Sequence, residues 1–324
     1  MVVGDTIQLE PVVPMQGEID RGIAADFIAV SNQDGQVAWG DRYLVSESSA
    51  QLIADNAGPI KAMLGQREVG LPLLVHRRCT EPMFSIANEL AYDKRMVLAT
   101  APYGWKSVSS GWVKVVESKD LIKSTRYKNH TEAATAFELV RYLVEQQPAM
   151  AQGGIYLITP FTQMKNELQS TWRGLYKEAA NKEWMEKAAQ LDGKPEAKVA
   201  DFALGNIGTV HTFQGKEASV VIFCLAASKV RENAGGIKWV KSKHNLINVA
   251  VTRAKHHLFV IGNYEDWRHE TCSSQLIREG MFVYNNLDEL KASPSLLLEE
   301  HLNKAATTPS PQVAAVNSDY SDVW

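Results

Sequence analysis

The sequence predicts an α/β protein built on a parallel sheet with helices on both faces. Two observations carry this. Apolar runs such as VVIFCL and HLFVIG show no polar alternation, as strands covered on both sides require. Between such runs lie stretches with helical periodicity, and strand–helix alternation implies parallel strands joined by right-handed crossovers. The 324 residues, 45% of them apolar, can bury a substantial core in one large domain or two.

The elements follow in chain order. Met1–Val3 reads as a strand that ends in GDTIQLEP. Residues 17–43 are less regular and read as a linker. Pro72–Val75 is the next strand, followed by His76, Arg77 and Arg78. Asn129 opens a helix, with Glu132 three residues on as a capping box. Ala133, Phe137, Val140 and Val144 give that helix an apolar stripe, and Pro148 stops it. Strand Gly154–Ile158 leads through Thr159 and Pro160 into a helix whose first turns hold Gln163 to Leu168. The segment from Ser170 to Gly193 is helix-prone, and Gly193–Pro195 breaks it. Strands Ile207–Val210, Ser219–Leu225 and His257–Ile261 complete the sheet. Residues 303–324 hold TTPSPQ and SDYSD and read as a solvated tail. Residues 44–302 are thus the main domain.

Composition excludes some classes. The formal net charge is -3, so the chain is no polybasic coat, although a local groove can still bind nucleic acid. Cys79, Cys224 and Cys272 form no CxxC pair and read as reduced thiols. No run approaches membrane-span length, and no basic segment follows Met1, so no membrane partner and no signal peptide are expected. The expected setting is cytoplasmic, or nuclear in a eukaryote.

In parallel sheets, ligands sit at the carboxyl ends of strands. Those ends here carry GDTIQLEP, HRRC, Thr159–Pro160 and HTFQGKE, and the segment before the last strand reads NVAVTRAK. They offer small, amide and cationic groups suited to phosphate. Gly215 lets backbone approach a ligand, and Arg78 and Arg253 can fork onto phosphate oxygens. Each motif alone has a plain structural reading: a surface arginine, a turn, a solvated helix face.

Their order and spacing together resemble superfamily 1 helicases, in particular the branch that includes the nonsense-mediated decay helicase. The resemblance covers roughly residues 1 to 264 and runs from motif III to motif VI. It implies a RecA-like fold, of the P-loop NTPase type, and ATP-driven work on single-stranded DNA or RNA. GDTIQLEP is similar to motif III, which makes Gln8 a sensor of the terminal phosphate. HRRC resembles motif IV, in which Arg77 would lie against the nucleotide base and Arg78 would touch the terminal phosphate; the family usually has Tyr where Arg77 stands. TVHTFQGKE resembles motif V, where Glu217 contacts the nucleotide, Gly215 permits close approach and Thr209 faces the nucleic acid. Many relatives carry an acidic residue where His211 stands. TRAK resembles motif VI, with Arg253 as the arginine finger. Thr159 and Pro160 resemble the strand-end pair that lies along the single strand. Trp239, in the basic stretch IKWVKSKH, is the tryptophan best placed by sequence to stack on a base.

The resemblance also implies a partner. The family holds ATP on a GxxxxGK[ST] loop and Mg²⁺ on an Asp-Glu pair. The two GK pairs here, Gly193-Lys194 and Gly215-Lys216, are followed by Pro195 and Glu217, so neither supplies the hydroxyl that Mg²⁺ needs. Asp288-Glu289 reads as helix surface. Residues 1–16 are therefore expected to be the last strand and motif III of a first RecA-like domain lying elsewhere. That domain, on a longer product or a separate chain, would hold ATP and Mg²⁺, and no metal site is expected here. The other reading is a non-hydrolysing module that binds nucleic acid or protein.

Overall fold

The computed structural model describes residues 17–31, 44, 48–64, 67–102, 108–116, 127–228, 235–268 and 281–292. Gln8, Trp105, Cys272 and the two terminal segments lie outside them. The chain begins with α1 (Gly17–Ser31), so half of the stretch read as irregular is helix. Next come α2 (Ala50–Ala57) and an antiparallel pair, β1 (Ala62–Leu64) and β2 (Arg67–Val69). Then β3 (Val75–His76), α3 (Met83–Ala91) and β4 (Val97–Leu98) follow.

The remaining elements build the sheet and its covers. They are β5 (Gly111–Lys114), α4 (His130–Gln146), α5 (Pro148–Ala151), β6 (Ile155–Thr159) and α6 (Thr162–Leu175). After them come α7 (Lys182–Ala189), α8 (Val199–Gly205), β7 (Ile207–Thr209) and β8 (Ala218–Cys224). The last are α9 (Gly235–Ser242), α10 (His244–Val251), β9 (Ala254–Gly262), α11 (Tyr264–Trp267), β10 (Phe282–Tyr284) and α12 (Leu287–Ala292).

Six strands form one sheet in the order β10-β5-β9-β8-β6-β7, and every pair in it is parallel. The chain thus has the RecA-like α/β fold. Helix α4 packs on β8 and β9 together with α6 and α7, while α10 meets the same two strands in company with α3 and α9. Every residue of β6 and β8 is consequently buried, which is why their sequences show no polar alternation.

Three expectations are corrected. Pro72–Val75 is not a strand of the main sheet: only Val75–His76 pairs, and its partner is β4 in a separate two-stranded ribbon. Leu71, Leu73 and Val75 are all exposed, a pattern that a central parallel strand does not tolerate. The helix-prone run 170–193 is divided, because α6 ends at Leu175 and a 3-10 turn, Ala179–Asn181, precedes α7. Asp192 and Gly193, both at positive φ, then end the helical run.

The third correction concerns α4. Asn129 caps it, its side chain accepting from the Glu132 N–H at 2.9 Å. Glu132 does not complete a capping box. Its carboxylate accepts from Asn129 Nδ2 at 3.0 Å and from the Ala226 N–H at 2.8 Å. Ala226 follows β8 with φ 56°, so its amide leaves the ladder and needs an acceptor. The buried Glu132 provides one and ties α4 to the end of the central strand.

No helix among the described residues is long and apolar enough to cross a membrane. Cys79 and Cys224 are free, buried thiols.

Candidate functional site

Apart from GDTIQLEP, which lies outside the described residues, the junctions picked out by sequence converge on two neighbouring places. The first is a cleft of about 540 Å³ beside β3, lined by Arg77, Arg78, Tyr92, Glu217, Thr252 and Lys255 among others. Arg77 is exposed and its neighbour half-buried. Arg78 Nε pairs with Glu217 Oε2 at 3.3 Å, and Lys255 Nζ pairs with the other carboxylate oxygen at 2.6 Å. Neither Nη group of Arg78 takes part in a hydrogen bond among the described residues. The three side chains are 37–39% exposed, so solute can reach them and the pairs are weak enough to be exchanged.

Backbone geometry fixes these groups. The HRRC turn is pinned to β9, since both the N–H and the hydroxyl of Thr80 donate to the Lys255 carbonyl, at 2.9 and 3.0 Å. Within the turn, the Cys79 N–H donates to His76 Nε2 at 3.0 Å. Burial and the adjacent Arg78 lower the pKa of His76, and burial raises the Cys79 thiol to about 12, so Cys79 stays a neutral thiol. Gly215 has φ 83°, with open space where a Cβ would point. What demands glycine there is the left-handed backbone rather than crowding.

Arg253 lies behind the cleft rather than in it. It is fully buried at the junction of α10 and β9. Its Nε donates to the Val249 carbonyl at 3.0 Å, and Nη1 to the carbonyls of Lys216 at 3.0 Å and Phe213 at 3.4 Å. Nη2 donates to Thr252 Oγ1 at 3.2 Å. Four of its five N–H groups are thereby engaged, and the loop carrying Gly215 is held through two of them. Burial first, and the nearby Arg78 second, lower its pKa to about 10.

The second place is at the ends of β6 and β7. Thr159 and Thr209 face each other in register across these strands. Thr159 and Pro160 are buried, and Thr159 Oγ1 accepts from the Phe161 N–H at 3.3 Å. Thr209 is half-buried, and its hydroxyl bonds that of Thr212 at 3.2 Å. Trp239 is 41% exposed, with its ring 5.7 Å from Phe161. Phe161 in turn stacks on Tyr127 at 4.3 Å, the planes 7° apart. The Thr209–Glu217 segment joins this face to the cleft.

Arg77, Arg78 and Glu217, expected at the nucleotide, line one cleft, and Trp239, expected at the strand, lies beside Phe161, the residue after Pro160. Sequence reasoning assigned no role to Lys255, Phe161 or Tyr127. Lys255 was detectable, since it stands two residues after Arg253. Phe161 follows Pro160 directly, but Tyr127 meets it only through the fold.

The family model described as an AAA domain, AAA_12, matches residues 73–265, the span from the β3 ribbon to α11. The chain belongs to the AAA_12 family. Among solved structures, it is similar to the C-terminal domain of a possible DNA helicase from Lactobacillus plantarum WCFS1. Identity is 10%, coverage is 65% of this chain and 99% of that one, and the TM-score is 0.35. Within the AAA_12 match lie all the described residues singled out for nucleotide or strand.

Proposed function

We propose that this AAA_12 chain is the second motor lobe of an ATP-dependent superfamily 1 helicase or translocase of the nonsense-mediated-decay-helicase-like branch. It acts on single-stranded DNA or RNA. The observation that carries the reading is Arg78, paired through Nε with Glu217 in an open cleft, its forked end without a hydrogen bond among the described residues. The cleft suits an anion. Glu217, the one carboxylate among its lining residues, is already shared by two cations, so these residues fit a phosphate and do not fit Mg²⁺. A first lobe with a GxxxxGK[ST] loop would grip the triphosphate and its Mg²⁺, and closure would bring the terminal phosphate to Arg78. Arg77 would lie against the base as a guanidinium plane. Arg253 can act as a finger only after exchanging its bonds to Phe213 and Lys216 for phosphate oxygens. Thr209, Pro160 and Trp239 would line the strand's path, with Thr159 supporting the turn from within.

Phosphate release tests this. The pure chain is assayed with Mg-ATP and a single-stranded oligonucleotide, with and without a Walker-bearing first lobe. The chain alone should release negligible phosphate, and the pair should show strand-stimulated turnover. Arg78→Ala in the pair should cost roughly 10³-fold or more in rate. Turnover by the chain alone, or none by the pair, overturns the proposal. The enclosure of Arg253 favours a second reading, a non-hydrolysing module that binds nucleic acid or protein. An inactive pair that still binds the oligonucleotide would support it.

A further inference from the structure

Three cations, Arg78, Lys255 and Arg253, gather around one carboxylate. Assembling them without a counter-charge would be repulsive; burial first, and Arg78 only second, lower the pKa of Arg253, while Glu217 opposes both. Glu217 relieves the repulsion. How it does so is specific: Lys255 takes Oε1 and Arg78 presents Nε to Oε2. Approach through Nε is side-on, an ion pair rather than a hydrogen bond, and it leaves the Nη fork for another acceptor. Lys255 is the firmer partner, at 2.6 Å against 3.3 Å, and its main chain is fixed through Thr80. The order of support therefore runs from β9 outward.

We infer that Lys255, Glu217 and Arg78 form a positioning relay, in which Lys255 fixes the Glu217 carboxylate and Glu217 orients Arg78 fork-first toward an incoming phosphate. Glu217 is then a positioning residue for the arginine, beyond any contact of its own with nucleotide. Lys255 acts two steps from the anion. The relay deepens the function proposed above and rests on it only for the identity of the anion.

The test reads the arginine directly. In a ¹⁵N spectrum of arginine side chains, the Arg78 Nε–H signal is identified by its loss in Arg78→Lys. In the unliganded chain, Glu217→Ala should speed its solvent exchange by about two- to fivefold, the factor expected of a half-exposed pair. Lys255→Ala should speed it by a lesser factor, and Lys255→Arg should restore the wild-type rate. Folding is not at risk in the Lys255 variants, because Thr80 bonds the main-chain carbonyl. In the two-lobe enzyme, Lys255→Ala should lower kcat by roughly ten- to hundredfold with KM little changed, as loss of orientation does. Unchanged Nε–H exchange in Glu217→Ala overturns the relay. So does a Lys255→Ala effect confined to KM, which would make Lys255 an anion ligand. If the spectral changes occur but no pair hydrolyses ATP, the relay stands and the helicase reading falls.

Discussion

Trp239 shows how a single residue's chemistry becomes legible only in part. The other described tryptophans, Trp112, Trp172, Trp184 and Trp267, are buried, and each indole N–H has an acceptor. They are core, as large aromatics usually are. Sequence context set Trp239 apart because lysines surround it, but it could not show the two rings behind. Packed at a tilt against Phe161, which itself stacks on Tyr127, the indole is held with less rotamer entropy left to lose on binding a base. Trp239→Ala should weaken binding of a fluorescent single-stranded oligonucleotide by about 1–3 kcal/mol, measured by anisotropy, with Trp239→Phe close to wild type. Equal affinities would remove Trp239 from the strand's path. Arg253 is the opposite case. Its position in TRAK pointed outward to phosphate, while its surroundings turn it inward to carbonyls. No sequence pattern separates these, since which acceptors meet a guanidinium depends on a loop 37 residues away.

At the scale of elements, legibility followed burial. Strands β6 and β8 were readable because both faces are covered and every residue is buried, and β9 because its second half, Leu258–Ile261, is a buried apolar run. Strands β5 and β10, of four and three residues, were missed because they are too short to show any periodicity. The β3 segment was misread because a short apolar run looks the same at a sheet centre and in an exposed ribbon. Helix α9 illustrates a constraint invisible in sequence. A Cβ on Gly236 would come within 2.3 Å of the Tyr127 ring, so the helix that bears Trp239 seats directly on that tyrosine. Gly236→Ala should therefore displace Tyr127 and lower stability by about 1–3 kcal/mol in urea denaturation. It should also weaken oligonucleotide binding, although residue 236 touches no strand in the proposed path. Unchanged stability would show that the ring moves aside freely.

For the whole molecule, the α/β class followed from alternation alone, whereas strand order did not, since β10 and β5 return to the side of β9 after long excursions. The core also imposes a pH dependence. Burial, followed by the adjacent His256, pushes His257 down to about 3, and burial likewise lowers His256 and His76. These rings are neutral when folded and take up protons more readily when unfolded. Between the ordinary histidine pKa of about 6.5 and the folded value, the unfolded chain binds more protons. Stability is therefore complete above that range and is lost as pH falls through it. Each fully shifted ring contributes a slope approaching about 1.4 kcal/mol per pH unit. Denaturation midpoints measured from pH 7 to pH 4 should fall accordingly, and His257→Leu should flatten the decline. A flat wild-type profile would show that His257 is protonated in the folded state.

Strand β9 lies between β5 and β8, laddered on both sides, and it begins directly after Arg253. Lys255 rides on it, and the HRRC turn is bolted to it through Thr80. Under the proposed function, load applied at the cleft by a phosphate would thus enter a strand with a neighbour resisting slippage on each flank. Any resulting movement would be expected to carry the sheet as one piece, with the give in the segments around it.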